Sequence, residues 1–589
     1  MPTVSFIGSN KLSPACIQFG DHGKRQRLLW ACVAAALTVG IAAGAEASPT
    51  GIGMTGLPSG LTGAGVNIGQ VEAISLSGNQ SPGDGTQASP YADQFEVSTP
   101  SSGPVVTYIG NAPDYFYPTA PGASSPGTQP NVDTTSGVLH DFTTGSSSSY
   151  YQYSVSGHAN SVGGYLWGAN GVAPGISQVD NYSASWFETD VIGVYYSPSR
   201  GNYIPIATLH NDKIVNQSFL NTFNSGTTQQ QELVQEQQSN LNYDAYANYY
   251  GTLFVTAVGD GATTYSKGNF SLAVNPPSTA YNGISVSASA LAANNSTNGP
   301  TLTGLSSPDL IAPGTASSYT TPLVSGAAAL LVQAGNQMGN TSASQAQTLK
   351  ALLMNGADKA SNWAPSAGNS LSQNVGAGSL DVYQSYQNLE AGQHAASAVN
   401  SNSTPITSGT AVPLEGWNFA TASSTGSNVS HYLLNLPAGA VAGHLTATLV
   451  WNAQTSLSYS RISGTSLYGL AMPSATSPGG SAPSPEAFNS LYLYLYNATT
   501  GQLVSQSTSI NDNTQTIFQS LSSLTPGDKY DLEVFDAGYQ QSTAPSFTLN
   551  TSDPYALAWN VAATPEPAAL LLLAVGFAPL ILRRSARLR

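Results

Sequence analysis

Apolar runs, glycine-rich turns and alanine-rich runs alternate along the chain from about residue 60 to residue 390. Two short apolar runs, at residues 66–74 and 253–258, predict buried strands. Three longer runs predict helices, a glutamine-rich one at residues 227–248 and two Ala/Leu-rich ones at 321–335 and 342–355. This alternation of strands and helices predicts an α/β domain with a mostly parallel sheet.

The pattern changes after about residue 396, where helical periodicity disappears. Short segments that are apolar, or that alternate between apolar and polar residues, lie between turn signals at residues 444–451, 490–496, 502–507, 530–535 and 555–561. Ser/Pro/Gly-rich stretches at residues 397–410 and 470–486 predict loops or linkers. We expect this part of the chain to form an all-β, antiparallel sandwich.

Composition narrows the class of protein. The chain has 589 residues, too many for one ordinary domain. Only 8% of its residues are charged, and its net charge of −15 argues against a nucleic-acid partner. Its 30 Tyr, 16 Phe and 7 Trp residues favour packed structure over disorder. Cys16 and Cys32 both precede residue 48, so the rest of the chain can form no disulfide and no thiolate metal site.

The first 47 residues have the parts of a secretory signal peptide. A basic flank at residues 24–27 precedes an apolar stretch at residues 28–43, and Ala45 and Ala47 form a small-x-small cleavage site. The segment therefore predicts export. An uncleaved membrane anchor is the alternative interpretation.

The end of the chain has a second export pattern. A Pro-Glu-Pro motif at residues 565–567 precedes an apolar stretch at residues 568–582 and a terminal arginine cluster. This order resembles the PEP-CTERM sorting signal of Gram-negative bacteria. The resemblance implies a C-terminal transmembrane helix, an exosortase-type processing partner and a location at the cell surface or in the extracellular matrix. A plain C-terminal anchor is the alternative.

Four motifs carry the candidate chemistry. They lie at residues 63–72 (GAGVNIGQVE), 157–164 (GHANSVGG, followed by GVAPG), 255–261 (VTAVGDG) and 308–330 (PDLIAPGTASSYTTPLVSGAAAL). Together they resemble the subtilisin-like serine proteases, or subtilases, over roughly residues 60–392. The resemblance implies a polypeptide substrate and a catalytic site without a cofactor.

The resemblance also assigns a role to one residue in each motif. Ser318 is the implied nucleophile, His158 the implied general base, and Glu72 the acid that orients the histidine. A serine, a histidine and an acid fit the hydrolysis of a peptide bond, because a serine hydroxyl reacts poorly until a base takes its proton. Asp260 occupies the position of the family's oxyanion-stabilising asparagine. We predict no metal ligand, and we interpret residues 511–513 as an exposed turn and not as a calcium site.

Several positions depart from the subtilase pattern. Glu72 replaces the usual aspartate, and Ala316 and Ser317 replace the usual Gly-Thr before the nucleophile. The replacement of the usual asparagine by Asp260 affects the chemistry most directly, because an ionised carboxylate cannot donate a hydrogen bond to an oxyanion. The related sedolisins are similar in pairing a glutamate with an oxyanion aspartate and working in acid. We therefore expect activity weighted to acidic pH, within a window limited by protonation of His158.

One further segment is predicted to contact substrate. Residues 216–218 (NQS) match the subtilase strand that pairs with an extended peptide, so we expect them to border the substrate cleft.

These observations divide the chain into four parts. We predict a signal peptide at residues 1–47, a subtilisin-like domain at 48–395, a β-sandwich at 396–562 and a sorting tail at 563–589. The leading functional hypothesis is an exported serine endopeptidase. The alternatives are a catalytically impaired subtilase fold that binds a surface or matrix partner, and a structural adhesin.

Overall fold

The computed structural model describes residues 51–73, most of 157–222, 229–261, 274–294, 299–455, 486–541 and 547–563. Elsewhere it describes only the backbones of a few short strands. The apolar part of the predicted signal peptide and the predicted C-terminal membrane segment lie outside these residues. Within them, no helix is both long enough and apolar enough to cross a bilayer.

The first part of the chain contains fourteen strands and six helices among the described residues. The strands are β1 (Thr3–Phe6), β2 (Asn67–Glu72), β3 (Val105–Ile109), β4 (Asn131–Asp133), β5 (Val138–His140), β6 (Tyr151–Gln152), β7 (Gln178–Ser183), β8 (Val194–Ser197), β9 (Asn202–Pro205), β10 (Ile214–Gln217), β11 (Phe219–Thr222), β12 (Leu253–Ala257), β13 (Ile284–Ala288) and β14 (Leu310–Ala312). The helices are α1 (Gly157–Leu166), α2 (Gln229–Tyr250), α3 (Ser289–Ala293), α4 (Ser317–Gln337), α5 (Ala346–Gly356) and α6 (Val382–Glu390).

Seven of these strands form one sheet, in the order β14-β13-β12-β10-β2-β7-β3. Every neighbouring pair in it is parallel, which confirms the predicted parallel sheet. The interior strand β12 is buried at all five positions. Burial on both faces explains why its sequence is a continuous apolar run, since helices cover both sides of such sheets. Because the strands are parallel, the residues that follow them meet at one carboxyl edge.

Two of the predicted helices form close to the expected positions, and one differs. The helices predicted at residues 227–248 and 321–335 are α2 and α4. The helix predicted at residues 342–355 is wrong at its start, because Thr341–Ser344 form a separate 3₁₀ turn before α5. Gln345 has an extended backbone between them, with φ −70° and ψ 140°, which interrupts the helix.

The second part of the chain is built from antiparallel sheets, as predicted. A five-stranded sheet has the order β15-β17-β26-β23-β24, and a four-stranded sheet has the order β16-β27-β18-β25. Their strands are β15 (Ala398–Asn400), β16 (Glu415–Ser423), β17 (Val429–Asn435), β18 (Gly443–Trp451), β23 (Asn489–Asn497), β24 (Gln502–Ser507), β25 (Thr514–Ser520), β26 (Lys529–Tyr539) and β27 (Ser552–Ala563). Four short strands form two further antiparallel pairs. In one pair β19 (Gln454–Thr455) lies beside β22 (Glu486–Ala487), and in the other β20 (Tyr459–Arg461) lies beside β21 (Tyr468–Leu470).

One apolar core joins the two large sheets. Trp451 and Trp559 of the four-stranded sheet and Tyr432 and Leu532 of the five-stranded sheet belong to the same buried cluster. All four side chains are fully buried. Since strand side chains alternate between faces, the residues between these core positions point to the opposite face of each sheet.

The predicted exposed turn at residues 511–513 is instead a buried joint between the two parts of the chain. Asp512 has no exposed surface. Its Oδ1 accepts a hydrogen bond from the Ser306 backbone N–H at 2.7 Å, and its Oδ2 accepts one from the Ser370 N–H at 2.9 Å. The exposed-turn interpretation is therefore wrong, because backbone donors of the α/β domain satisfy this carboxylate.

Candidate active site

Glu72 and His158 meet at the carboxyl edge of the parallel sheet. Glu72 is the last residue of strand β2, and His158 is the second residue of α1. The Glu72 Oε2 lies 3.0 Å from the His158 Nδ1. This contact joins two residues that are 86 positions apart in the sequence. The two residues that the sequence assigned to the acid and base roles are therefore direct partners.

A network of polar side chains holds the Glu72 carboxylate in place. The Gln70 Nε2 donates to Glu72 Oε1 at 3.3 Å and to the Ala159 carbonyl at 3.0 Å. The Trp167 indole N–H donates to Gln70 Oε1 at 2.9 Å, which fixes the orientation of that amide. These contacts connect the end of β2 to the start of α1. The Glu72 side chain, which is one methylene longer than an aspartate, therefore keeps its contact with His158.

Burial dominates the electrostatics of this pair. The Glu72 side chain is fully buried, and 11% of the His158 side chain is exposed. Burial raises the pKa of Glu72, whereas the adjacent His158 and the Gln70 amide oppose that rise by favouring the charged carboxylate. The ionised state of Glu72 thus depends on its partners in the site.

Ser318 lies at the start of the longest apolar helix, α4. The helix begins at Ser317, after Ala316 in an extended conformation (φ −134°, ψ 136°). The backbone N–H groups of such a first turn have no partner within the helix, and they favour developing negative charge. Ser318 itself is fully buried.

A proline and a distant serine shape this end of α4. Pro322 lies four residues after Ser318 and has no N–H to donate to the Ser318 carbonyl. The Ser218 hydroxyl donates to that carbonyl instead, at 2.8 Å. The helix start is thereby attached to the residue that directly follows β10.

An aromatic contact links the start of α4 with His158. The ring centroid of Tyr319, the residue after Ser318, lies 5.4 Å from that of His158. Tyr165 of α1 also contacts Tyr319, with ring centroids 5.6 Å apart. The imidazole and the first turn of α4 are therefore neighbours at the same edge of the sheet.

Asp260 lies beside the first turn of α4, after strand β12. Its Oδ1 accepts hydrogen bonds from the Ser317 backbone N–H at 2.7 Å and from the Ser317 hydroxyl at 2.9 Å. Its Oδ2 is buried and has no hydrogen-bond partner among the described residues. Burial raises the pKa of Asp260, and the Ser317 hydrogen bonds and the charge of His158 oppose the rise. A protonated Oδ2 would be a hydrogen-bond donor, whereas an ionised one would not.

The segment predicted to border the substrate cleft is instead buried beneath α4. Asn216 and Ser218 have almost no exposed surface. The Asn216 amide donates to the Ser218 hydroxyl at 3.1 Å, and its Oδ1 accepts from the Ser325 hydroxyl at 2.9 Å. These two side chains therefore support the helix that carries Ser318, because β10 lies in the centre of the sheet and faces α4.

Three residues of the site were not identified from the sequence. Gln70 and Trp167 orient Glu72, and Tyr319 packs on His158. Gln70 lies two positions before Glu72 on the same strand, so the period of a strand places both side chains on one face. No comparable sequence signal identifies Trp167 or Tyr319.

A family comparison covers most of this α/β domain. Residues 123–378 match the family model described as Peptidase_S8, the Subtilase family. This part of the chain is therefore similar to the Subtilase family. The matched range includes His158, Asp260 and Ser318, and Glu72 lies before it. No match to the chain is found among curated proteins.

Solved structures similar to the chain include several proteases. The patellamide maturation protease PatA is 14% identical, with 56% of this chain and 97% of that chain covered and a TM-score of 0.29. A protease from Pseudoalteromonas arctica is 15% identical, with coverages of 55% and 90% and a TM-score of 0.28. A cold-adapted subtilisin-like serine proteinase is 14% identical, with coverages of 54% and 93% and a TM-score of 0.26.

Proposed function

We propose that this protein is an exported serine endopeptidase that hydrolyses peptide bonds with Ser318, His158 and Glu72. The observation that carries the proposal is the 3.0 Å contact between Glu72 Oε2 and His158 Nδ1, in a subtilase domain whose nucleophile helix packs against His158 through Tyr319. The arrangement supplies an oriented base beside a serine at a helix N-terminus.

The proposed reaction follows from this geometry. The His158 Nδ1–H donates to Glu72, which leaves Nε2 to accept the proton of the Ser318 hydroxyl. The Ser318 oxygen attacks the scissile carbonyl carbon, and a tetrahedral intermediate forms. His158 then returns its proton to the leaving amine, and water hydrolyses the acyl-enzyme through the same base.

The proposed oxyanion site makes the enzyme favour acid. The Ser318 backbone N–H is one donor, and the Asp260 Oδ2 is the second when it carries a proton. Burial raises the pKa of Asp260, so the donor form persists to higher pH than in an ordinary aspartate. Activity then requires a protonated Asp260 and a neutral His158, and these two requirements bound a narrow pH window.

The proposed location rests on the two ends of the sequence. The signal-peptide pattern of residues 1–47 supports export. The Pro-Glu-Pro motif, apolar stretch and arginine cluster within residues 563–589 support membrane anchoring and processing by an exosortase-type enzyme. The polypeptide substrate would accordingly be met outside the cytoplasm.

A second candidate function is favoured by one specific observation. Ser318 has no exposed surface, so a substrate reaches it only if the groups above it move. Together with the altered motif positions, this burial favours a catalytically impaired subtilase fold that binds a surface or matrix partner.

Hydrolysis of casein by the protein expressed from the full sequence separates the two candidates. The rate should be measured from pH 3 to pH 9 for the parent protein, for Ser318→Ala and for the control Ser344→Ala, which alters a serine in the 3₁₀ turn before α5. Cleavage that Ser318→Ala abolishes and Ser344→Ala retains supports the peptidase. Absence of Ser318-dependent cleavage at every pH supports the impaired fold.

A further inference from the structure

A buried cluster of three metal-ligating side chains lies in the β-sandwich, far along the chain from the catalytic motifs. It consists of His431 on β17 and Asp531 and Glu533 on β26, and their ligand atoms all lie within 4.8 Å of one another. All three residues are fully buried. We propose that His431, Asp531 and Glu533 bind a zinc-like divalent metal ion. This proposal is independent of the proposed peptidase activity.

Strand pairing brings the three side chains together. His431 and Glu533 are directly opposite each other in the antiparallel pair β17–β26, and Asp531 is two residues before Glu533. All three therefore project from the same face of the sheet. Their strand neighbours Tyr432 and Leu532 belong to the apolar core on the other face. The cluster is thus a polar site on the face of the five-stranded sheet that is opposite the apolar core.

Only one of the four carboxylate oxygens in the cluster, Asp531 Oδ2, has hydrogen-bond partners among the described residues. Both oxygens of Glu533 and the Oδ1 of Asp531 are buried, and none has a hydrogen-bond partner within the described part of the chain. Burying an unpaired carboxylate costs several kcal/mol, so buried charges are ordinarily paired or coordinate a metal. His431 is a single possible counter-charge for two acids. A divalent cation would balance both carboxylates beside a neutral imidazole.

One separation between donor atoms suits a small tetrahedral ion, and the other is that of a hydrogen bond that a bound ion would replace. The His431 Nδ1 lies 2.8 Å from the Asp531 Oδ2 and 3.5 Å from the Glu533 Oε1. Ligands about 2.0–2.2 Å from a tetrahedral Zn²⁺ lie about 3.3 Å apart. A mixed set of one imidazole and two carboxylates also suits zinc better than calcium, which prefers six to eight oxygens.

Outer hydrogen bonds hold two of the ligands in position for a metal. The His431 Nε2 lies 3.2 Å from the Asn400 Oδ1, and an Nε2–H donated to that oxygen leaves the Nδ1 lone pair for the ion. The Asp531 Oδ2 accepts from the Ile406 backbone N–H at 2.8 Å. Asn400 ends β15 and Ile406 belongs to the largely exposed loop after it. A bound ion would therefore attach the segment that contains Asn400 and Ile406, which connects the two domains, to the sheet. The exposed loop also offers the ion a route from solvent.

Titration of the full-length, untagged protein with Zn²⁺ tests the proposal, because an affinity tag would bind the same ion. Isothermal calorimetry after chelator treatment should show one equivalent of Zn²⁺ bound, with weaker binding of Ca²⁺. Glu533→Gln, which keeps the shape of the side chain, should weaken Zn²⁺ binding about 100-fold or more, and Asn400→Ala should weaken it about 10-fold. The control His444→Ala, in the same domain, should bind like the parent protein.

The thermal midpoint provides a second measurement if a variant is hard to titrate. Saturating Zn²⁺ should raise the Tm of the parent protein and of His444→Ala, and it should leave that of Glu533→Gln unchanged. The proposal is overturned if the parent protein binds no stoichiometric Zn²⁺, if it prefers Ca²⁺, or if Glu533→Gln binds Zn²⁺ like the parent.

Discussion

The hydroxyl of Ser218 donates a 2.8 Å hydrogen bond to the carbonyl oxygen of Ser318, which Pro322 leaves without its usual helical donor. One serine thereby holds the first turn of α4 against the end of β10. The position of Ser318 thus depends on a residue 100 positions away in the sequence.

Removal of this support should affect both stability and catalysis. Ser218→Ala removes the hydroxyl that donates to the buried Ser318 carbonyl, so the free energy of unfolding should fall by about 1–3 kcal/mol. The kcat of casein hydrolysis should fall more than KM rises, because the substrate-binding surface is unchanged. Urea denaturation and steady-state kinetics measure the two effects, and Ser344→Ala is the control. Unchanged kcat and unchanged stability together would contradict the supporting role.

The contact between Glu72 and His158 predicts a large effect of removing one charge. Glu72→Gln preserves the shape of the side chain but no longer stabilises a positively charged imidazole, so kcat should fall about 10³–10⁴-fold. Circular dichroism should show an unchanged fold. Loss of less than about tenfold in kcat would show that Glu72 does not orient the base.

Asp260 predicts a bell-shaped pH profile. Activity should rise from low pH as the Glu72–His158 pair loses a proton, and it should fall at higher pH as Asp260 ionises. Burial raises the pKa of Asp260, which keeps its donor form available across more of this range than an ordinary aspartate allows.

Asp260→Asn isolates the falling limb of that profile. The asparagine amide donates at every pH, so the decline at high pH should disappear and kcat at pH 8 should rise about 100-fold. The measurement is kcat against pH for both proteins. A parent profile that is flat or rising from pH 5 to pH 9 would contradict the role assigned to Asp260.

Buried acids predict that the fold is more stable in acid than at neutral pH. Burial raises the pKa of Glu236 from 4.5 to about 7, although the Thr303 and Leu302 N–H groups oppose the rise. Both folded and unfolded states are protonated below pH 4.5, and only the folded state holds the proton between pH 4.5 and 7. Stability should therefore fall by about 3 kcal/mol as the pH rises through this window.

Thermal denaturation at pH 4.5 and pH 7.5 checks this dependence. Glu236→Gln cannot ionise, so its Tm should fall less than that of the parent protein over the same interval. The exposed residue Glu390 provides the control, and Glu390→Gln should follow the parent. An equal fall in Tm for Glu236→Gln and the parent would exclude this acid as a cause.

The parallel sheet and the edge at which Glu72 and His158 meet were predictable because their signals are local. Continuous apolar runs identify buried strands such as β12, and the carboxyl-edge rule brings Glu72 to the side of the sheet where His158 lies. The start of α4 near Ser318 also follows from its alanine-rich sequence and the early proline. These patterns need no information about distant contacts.

The contacts that complete each site were not predictable, because they join distant parts of the chain. Asp512 reaches Ser306 across 206 positions, and His431 reaches Asp531 across 100. A short polar motif such as residues 511–513 is typical of an exposed turn, and only the tertiary structure shows which groups form hydrogen bonds with it. The register of β17 against β26 likewise decides which side of the sheet His431 faces.

The most direct test of the peptidase proposal is covalent labelling of the full-length protein by a serine-directed fluorophosphonate. Intact mass and peptide mapping after incubation at pH 5 locate the adduct. We expect one adduct on Ser318, which Ser318→Ala abolishes, Glu72→Gln slows strongly and Ser344→Ala leaves unchanged. The absence of an adduct on Ser318 at every pH from 3 to 9, in protein that remains folded, would contradict it.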